Sequence, residues 1–131
     1  MKVNRSTGYK YDFSDVPAAE TESREAKFPA HDRQTKVDAA AQVITTIARE
    51  TTVDVAVAQA QSITAVVTHA VDGDKLVVSL ANDGTQRVVT FSTGFKASGT
   101  VTGTVSKTIN VGFEFNGTSW VEIYRSAAYT P

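Results

Sequence analysis

Asp72-Gly73-Asp74 is the segment most like a ligand loop, because two carboxylates flanking a glycine open the oxygen-rich calcium loop of EF-hands. The further oxygen ligands and the closing glutamate of such a loop do not follow, so the segment reads as a turn. Asp83 with Glu114 or Glu122 would supply paired carboxylates, which glycoside hydrolysis needs at roughly 5–9 Å separation. Each instead falls on a turn or on the solvent side of a strand. His31 and His69 stand isolated in a chain without cysteine, which gives neither a metal-ligand set nor a nucleophile with its base. No serine sits in Gly-x-Ser-x-Gly. The glycines of Ser92-Thr-Gly-Phe-Lys-Ala-Ser-Gly99 lack phosphate-loop spacing, and Asn116-Gly-Thr reads as a hairpin turn rather than a glycosylation site. The expectation is no catalytic residue, no metal, no cofactor and no enzyme.

What must position these residues follows from composition. At 131 residues the chain is one domain by length, and 41% apolar residues suffice for a modest core. A net charge of −1 without a clustered basic patch argues against nucleic acid and anionic membrane as partners. No run reaches the ~18 apolar residues of a membrane span. Met1-Lys-Val-Asn-Arg-Ser-Thr-Gly lacks the apolar stretch of a secretory signal, so a protein made in the cytoplasm that stays soluble or leaves by cell lysis is expected.

Charge divides the chain in two. Residues 1–36 hold seven basic and six acidic side chains, 13 of the 27 in the whole chain. Their sizeable apolar groups are Val3, Val16, Tyr9, Tyr11, Phe13 and Phe28, too few to offset chain entropy alone. One reading of this stretch is a disordered tail. The other is an extended docking arm, in which Tyr9, Tyr11 and Phe13 alternate with Lys10 and Asp12 and so point one way. Such a row anchors in a partner's groove or at a sheet edge, and Phe28 adds a fourth aromatic contact. Ser14 or Asp15 with Pro17 would start a short helix within it.

Residues 37–131 read as the head. Val37, Ala40, Ala41, Ile44, Ile47 and Ala48 fit a helical stripe, so a short helix near 37–48 is one alternative. The β-branched run Val43-Ile-Thr-Thr-Ile and the alternation of Val53, Val55 and Val57 favour strands at about 43–48 and 52–59, after a helical turn over Lys36–Gln42. Further strands are expected at Ile63–His69, Leu76–Leu80, Arg87–Phe91, 109–115 and Ser119–Tyr124. Asn116-Gly117 between the last two predicts a type I′ hairpin. Phe113 with Phe115, and Trp120 with Tyr124, are each placed on one face of their strand. The sum is an all-β head, a small sandwich or barrel of about six to eight short antiparallel strands, behind an extended N-terminal arm.

Four segments in order carry a resemblance: Gly73-Asp-Lys-Leu-Val-Val, Gly84-Thr-Gln-Arg-Val-Val-Thr-Phe, Gly94-Phe with its Gly/Thr/Ser-rich loop, and Phe113-Glu-Phe-Asn-Gly-Thr-Ser-Trp. Together they span about half the chain and resemble a C-terminal β-module of tailed-bacteriophage head-decoration, cement and fibre proteins. The resemblance implies a small, non-enzymatic virion protein on the capsid exterior, made in the host cytoplasm and often trimeric. Its partner would be the major capsid protein, bound through the arm residues Tyr9, Tyr11, Phe13 and Phe28. The alternative is a fibre or receptor-binding module contacting a host glycan or protein. A cellular carbohydrate-binding domain, with Trp120 or Tyr124 as stacking platform, is a third reading.

Overall fold

Alternation of β-branched and polar residues sets the local conformation along most of the described chain. The structure, a computed structural model, describes residues 30–131. Ten strands follow in order: β1 (His31–Lys36), β2 (Ala41–Thr45), β3 (Glu50–Val57), β4 (Gln61–Val66), β5 (Lys75–Asn82), β6 (Val88–Phe91), β7 (Phe95–Lys96), β8 (Val101–Thr102), β9 (Thr108–Phe115) and β10 (Trp120–Arg125). The six residues expected to close the arm thus form β1. The helix near 37–48 is not formed: the β-branched run wins, and Ala41–Thr45 is β2. No helix long and apolar enough to cross a membrane occurs among the described residues. The expected docking residues Tyr9, Tyr11, Phe13 and Phe28, and the short helix at Ser14–Pro17, lie outside the described residues.

The antiparallel sandwich or barrel is corrected to a solenoid-like stack. The sheets run β1-β3-β5-β9-β10-β7 and β2-β4-β6-β8. The first four strands each pair parallel with their counterpart one coil later, as β1 with β3, β3 with β5, β2 with β4 and β4 with β6. Two paired strands of one sheet are therefore joined through a strand of the other sheet, a crossover that parallel pairing requires. The antiparallel pairings are confined to the later part of the chain, where β9 folds back on β5, β10 on β9, and β8 on β6.

The core lies between the sheets. Alternate residues of β3, β5 and β9 face inward, so that Val53 stands beside Val78 and Val78 beside Val111, all fully buried. From the second sheet Ile44, Ile63, Val89, Phe91 and Val101 close over them. An aromatic cluster fills the end built by the last strands: Phe91, Phe95 and Phe113 lie 4.8–5.0 Å apart, and Phe115 packs 5.2 Å from Trp120. These tilted and edge-on contacts suit the ring quadrupoles. At the other end β1 turns polar residues inward. Gln34 Nε2 donates to Asp32 Oδ2 at 3.0 Å and to the carbonyl of Thr45 at 2.8 Å, bridging the sheets over the buried Ile44. A polar first coil ends a stack without exposing its core.

Carboxylates tie the coils at their corners. Asp38 accepts from the Ala58 amide at 2.8 Å, from Gln59 Nε2 at 2.8 Å and from Gln61 Nε2 at 2.9 Å. The β9–β10 hairpin forms as expected, but not on a two-residue turn. Trp120 pairs with Phe115, leaving a four-residue loop in which Asn116 Oδ1 accepts from the amides of Thr118 and Ser119, while Gly117 takes φ 94°. The asparagine side chain organises the turn by itself.

Candidate functional site

The residues singled out for chemistry are dispersed, and Asp74, Asp83, Glu114 and Glu122 each have a structural partner. Asp74 is buried and its Oδ2 accepts from the Val71 amide at 2.9 Å, so this carboxylate closes the turn around Gly73. Asp83 takes a two-pronged pair from Arg87, Nε to Oδ1 and Nη2 to Oδ2 at 3.0 Å each. Glu114 faces Lys75 at 3.9 Å across strands. Glu122 meets Arg125 through both carboxylate oxygens at 2.8 and 3.0 Å, and its Oε1 also accepts from the Ser98 amide. Among the described residues no three or more His, Asp or Glu side chains gather where they could hold a metal ion.

The electrostatics agree with this assignment. Asp38 is held below its ordinary value by the Ala58 amide and then by the Gln59 side chain. Asp83 is lowered mainly by the hydrogen bonds of Arg87, which is itself raised by the same contact. Burial by itself would raise Glu122, but the hydrogen bonds from Arg125 and the Ser98 amide outweigh it and hold the carboxyl below its ordinary value. All three carboxylates are thus stabilised in their ionised form, which suits anchoring and not proton transfer.

A concave feature of the six-stranded sheet is a groove on its outer face. Register builds it. One outward row across the sheet runs Arg33, Thr52, Val77, Gly112, Tyr124. The side chains shrink toward Gly112, and the row beside it, His31, Glu50, Lys75 and Glu114, is long and charged. The result is a trough of about 310 Å³ with Thr52, Val77 and Gly112 in its floor and His31, Glu50 and Lys75 at its rim. Ile123 and Tyr124 form its wall. The volume lies at the lower end of the small-molecule range.

Tyr124 reaches this wall through a β-bulge. The register of β9 and β10 shifts between Glu122 and Tyr124, so Ile123 is extra. An unbroken strand would put Trp120 and Tyr124 on one side, as expected from their spacing. The bulge instead sends Trp120 into the core, fully buried, and turns Tyr124 outward, 47% exposed. Its ring lies over Gly112, where an added Cβ would overlap the ring carbons. A glycine in mid-strand marks such a close approach, and this was the signal in the sequence for the wall of the groove. The bulge itself has no sequence signature.

An exposed aromatic ring beside one carboxylate, one ammonium and one imidazole is chemically a surface for a small polar ring or a side chain. It lacks a nucleophile paired with a base. No protein-family model, no curated protein and no solved structure matches this chain.

Proposed function

We propose that the chain is a non-enzymatic bacteriophage virion protein, a decoration or cement subunit that sits on the capsid exterior and holds it through residues 1–36. The observation that carries this reading is the construction of the head. Its coils stack on an aliphatic core closed at one end by aromatic rings, and Asp38, Asp74 and Asp83 are committed to corners, turns and the Arg87 pair. Such a body suits a subunit repeated over a surface, where many modest contacts add up to strong retention. Its partner is the major capsid protein, and the contacts fall on Tyr9, Tyr11, Phe13 and Phe28. The particle surface is its working location after synthesis in the host cytoplasm.

The test uses the full chain with Tyr9, Tyr11, Phe13 and Phe28 all changed to serine. Co-sedimentation with purified capsids is expected to fall at least ~10-fold, because buried aromatic anchors dominate such contacts. Thermal unfolding of the head should not change. Undiminished coating of capsids by this variant would sink the anchor assignment.

A second reading, a fibre or receptor-binding module, is favoured by the groove under Tyr124. Of the two aromatic platforms considered for sugar stacking, Trp120 is inaccessible and Tyr124 is at the surface. On this reading Val77→Arg, which fills the trough from its floor, abolishes adhesion of the chain to host cells and leaves capsid retention intact. Adhesion equal to wild type would remove the groove from consideration.

A further inference from the structure

The groove on the six-stranded sheet has two unlike sides. Tyr124 supplies an aromatic ring, 47% exposed, that lies packed over Gly112. Across a floor of Val77 and Thr52, Glu50 and Lys75 stand opposite each other in register, with His31 next to Glu50. Neighbouring strands are ~4.8 Å apart, so a carboxylate and an ammonium sit side by side at one rim. Lys75 is only loosely tied to Glu114, at 3.9 Å, and both side chains are half-exposed. Among the described residues Glu50 forms no ion pair. The carboxylate only accepts hydrogen bonds, and the ammonium only donates them.

We propose that this groove binds a single uncharged pyranose ring, a neutral hexose at the end of a surface glycan. The inference rests on the reading of the groove as a binding site and names the chemistry of its ligand. A pyranose has an apolar C–H face and a polar edge of hydroxyls, each of which both donates and accepts. The face suits the phenol ring and the valine floor, and the edge suits the adjacent carboxylate and ammonium. Charge decides against the competitors. A cation drawn to Glu50 meets Lys75, and an anion drawn to Lys75 meets Glu50, so attraction and repulsion act at similar range. A pair of hydroxyls uses both groups at once. A zwitterion could match both charges, but it must give up the hydration of two ions at a half-open rim. The trough of about 310 Å³, at the low end of small-molecule sites, suits one ring. Its wall is preformed, since the Tyr124 ring already packs on Gly112 and binding need not order it.

Ligand-observed saturation-transfer NMR on the full chain tests it, with the methyl glycosides of glucose, galactose and mannose as probes. At least one should bind with a Kd of roughly millimolar, as expected for a ligand of about a dozen heavy atoms. Tyr124→Ala should weaken that binding at least ~10-fold, whereas Tyr124→Phe, which keeps the ring, should retain it. Gly112→Ala should weaken it as much, because the new methyl displaces the ring carbons at the free end of a side chain. Glu50→Gln, at the exposed rim, should lose several-fold without any change in melting temperature. Val43→Ala, on the other sheet, should bind as wild type does. Three results would each overturn the proposal: no hexoside bound at tens of millimolar, an unchanged Kd in Tyr124→Ala, or tighter binding of glucosamine, galacturonate, phenylalanine or adenosine. Adhesion lost in Val77→Arg without any hexoside binding would defeat this inference and keep the receptor reading. Hexoside binding with adhesion intact in Val77→Arg would do the reverse.

Discussion

Trp120→Ala is expected to cost about 3–5 kcal/mol of folding stability, the range for deleting a large buried aromatic side chain. Trp120 is fully buried, pairs with Phe115 at the start of β10 and packs 5.2 Å from that ring. Its amide also donates to the carbonyl of Gly94, which joins β10 to the turn before β7. Removing the indole empties the core where the last hairpin meets the stack, and the surrounding backbone is held on both sides. In a domain this size each 1 kcal/mol shifts the melting temperature by roughly 4–8 °C, so the variant should melt well over 10 °C lower. Trp120→Phe should lose much less. It keeps an aromatic ring and removes an indole N–H that has no acceptor among the described residues. Urea or thermal unfolding followed by near-ultraviolet circular dichroism reads both. An alanine variant as stable as wild type, with only sugar binding lost, would show that the side chain works at the surface.

Gly94→Ala is expected to destabilise by about 2–4 kcal/mol, through two independent effects. Gly94 has φ 91°, where a side chain costs roughly 1–2 kcal/mol. A Cβ there would also lie 2.6 Å from the carbonyl oxygen of Ala65. That oxygen belongs to backbone at the end of β4, and the Ala65 amide already donates to the Thr93 carbonyl. Neither strand can move without losing pairings. Gly117→Ala is the matched control, with φ 94° but open space around the Cβ position. It should cost only the conformational part, roughly 1–2 kcal/mol. Equal losses in denaturant titrations of the two variants would mean that the Ala65 contact is not tight.

The inward-facing residues were the most legible part of the chain. Leu76, Val78 and Leu80, and Ile109, Val111, Phe113 and Phe115, alternate in the sequence and are all buried. What alternation does not encode is the neighbour. Strands with one solvent face usually belong to antiparallel sheets, and here β3 and β5 have such a face yet pair parallel. The repeat is hidden because the coils differ in length. His31 aligns with Glu50, 19 residues on, but Glu50 aligns with Lys75, 25 residues on (50 − 31 and 75 − 50). β1 was read as arm because its residues are polar on both faces, which is also what a capping coil needs. Of the helical stripe, Val37 is 78% exposed while Ile44 and Ala48 are buried, so those positions do not share one face. The groove went unread in the sequence: Gly112 in mid-strand could have marked a close approach, but the bulge that brings Tyr124 to it arises from pairing with β9, beyond what local pattern can show.

The fold-back of β9 on β5 has a kinetic consequence. Ribosomal synthesis delivers the early coils first, and each can dock on its predecessor as it emerges, since its contacts are close in sequence. The far side of β5 must wait for β9, whose pairings run from Ala81 with Thr108, 27 residues apart (108 − 81), to Lys75 with Glu114, 39 apart (114 − 75). Until then the nascent molecule presents an unoccupied ribbon edge and an unplugged aromatic end, the condition in which intermolecular pairing starts. The carboxyl-terminal hairpin therefore acts as a late bolt: its arrival decides whether a newly made molecule matures or aggregates.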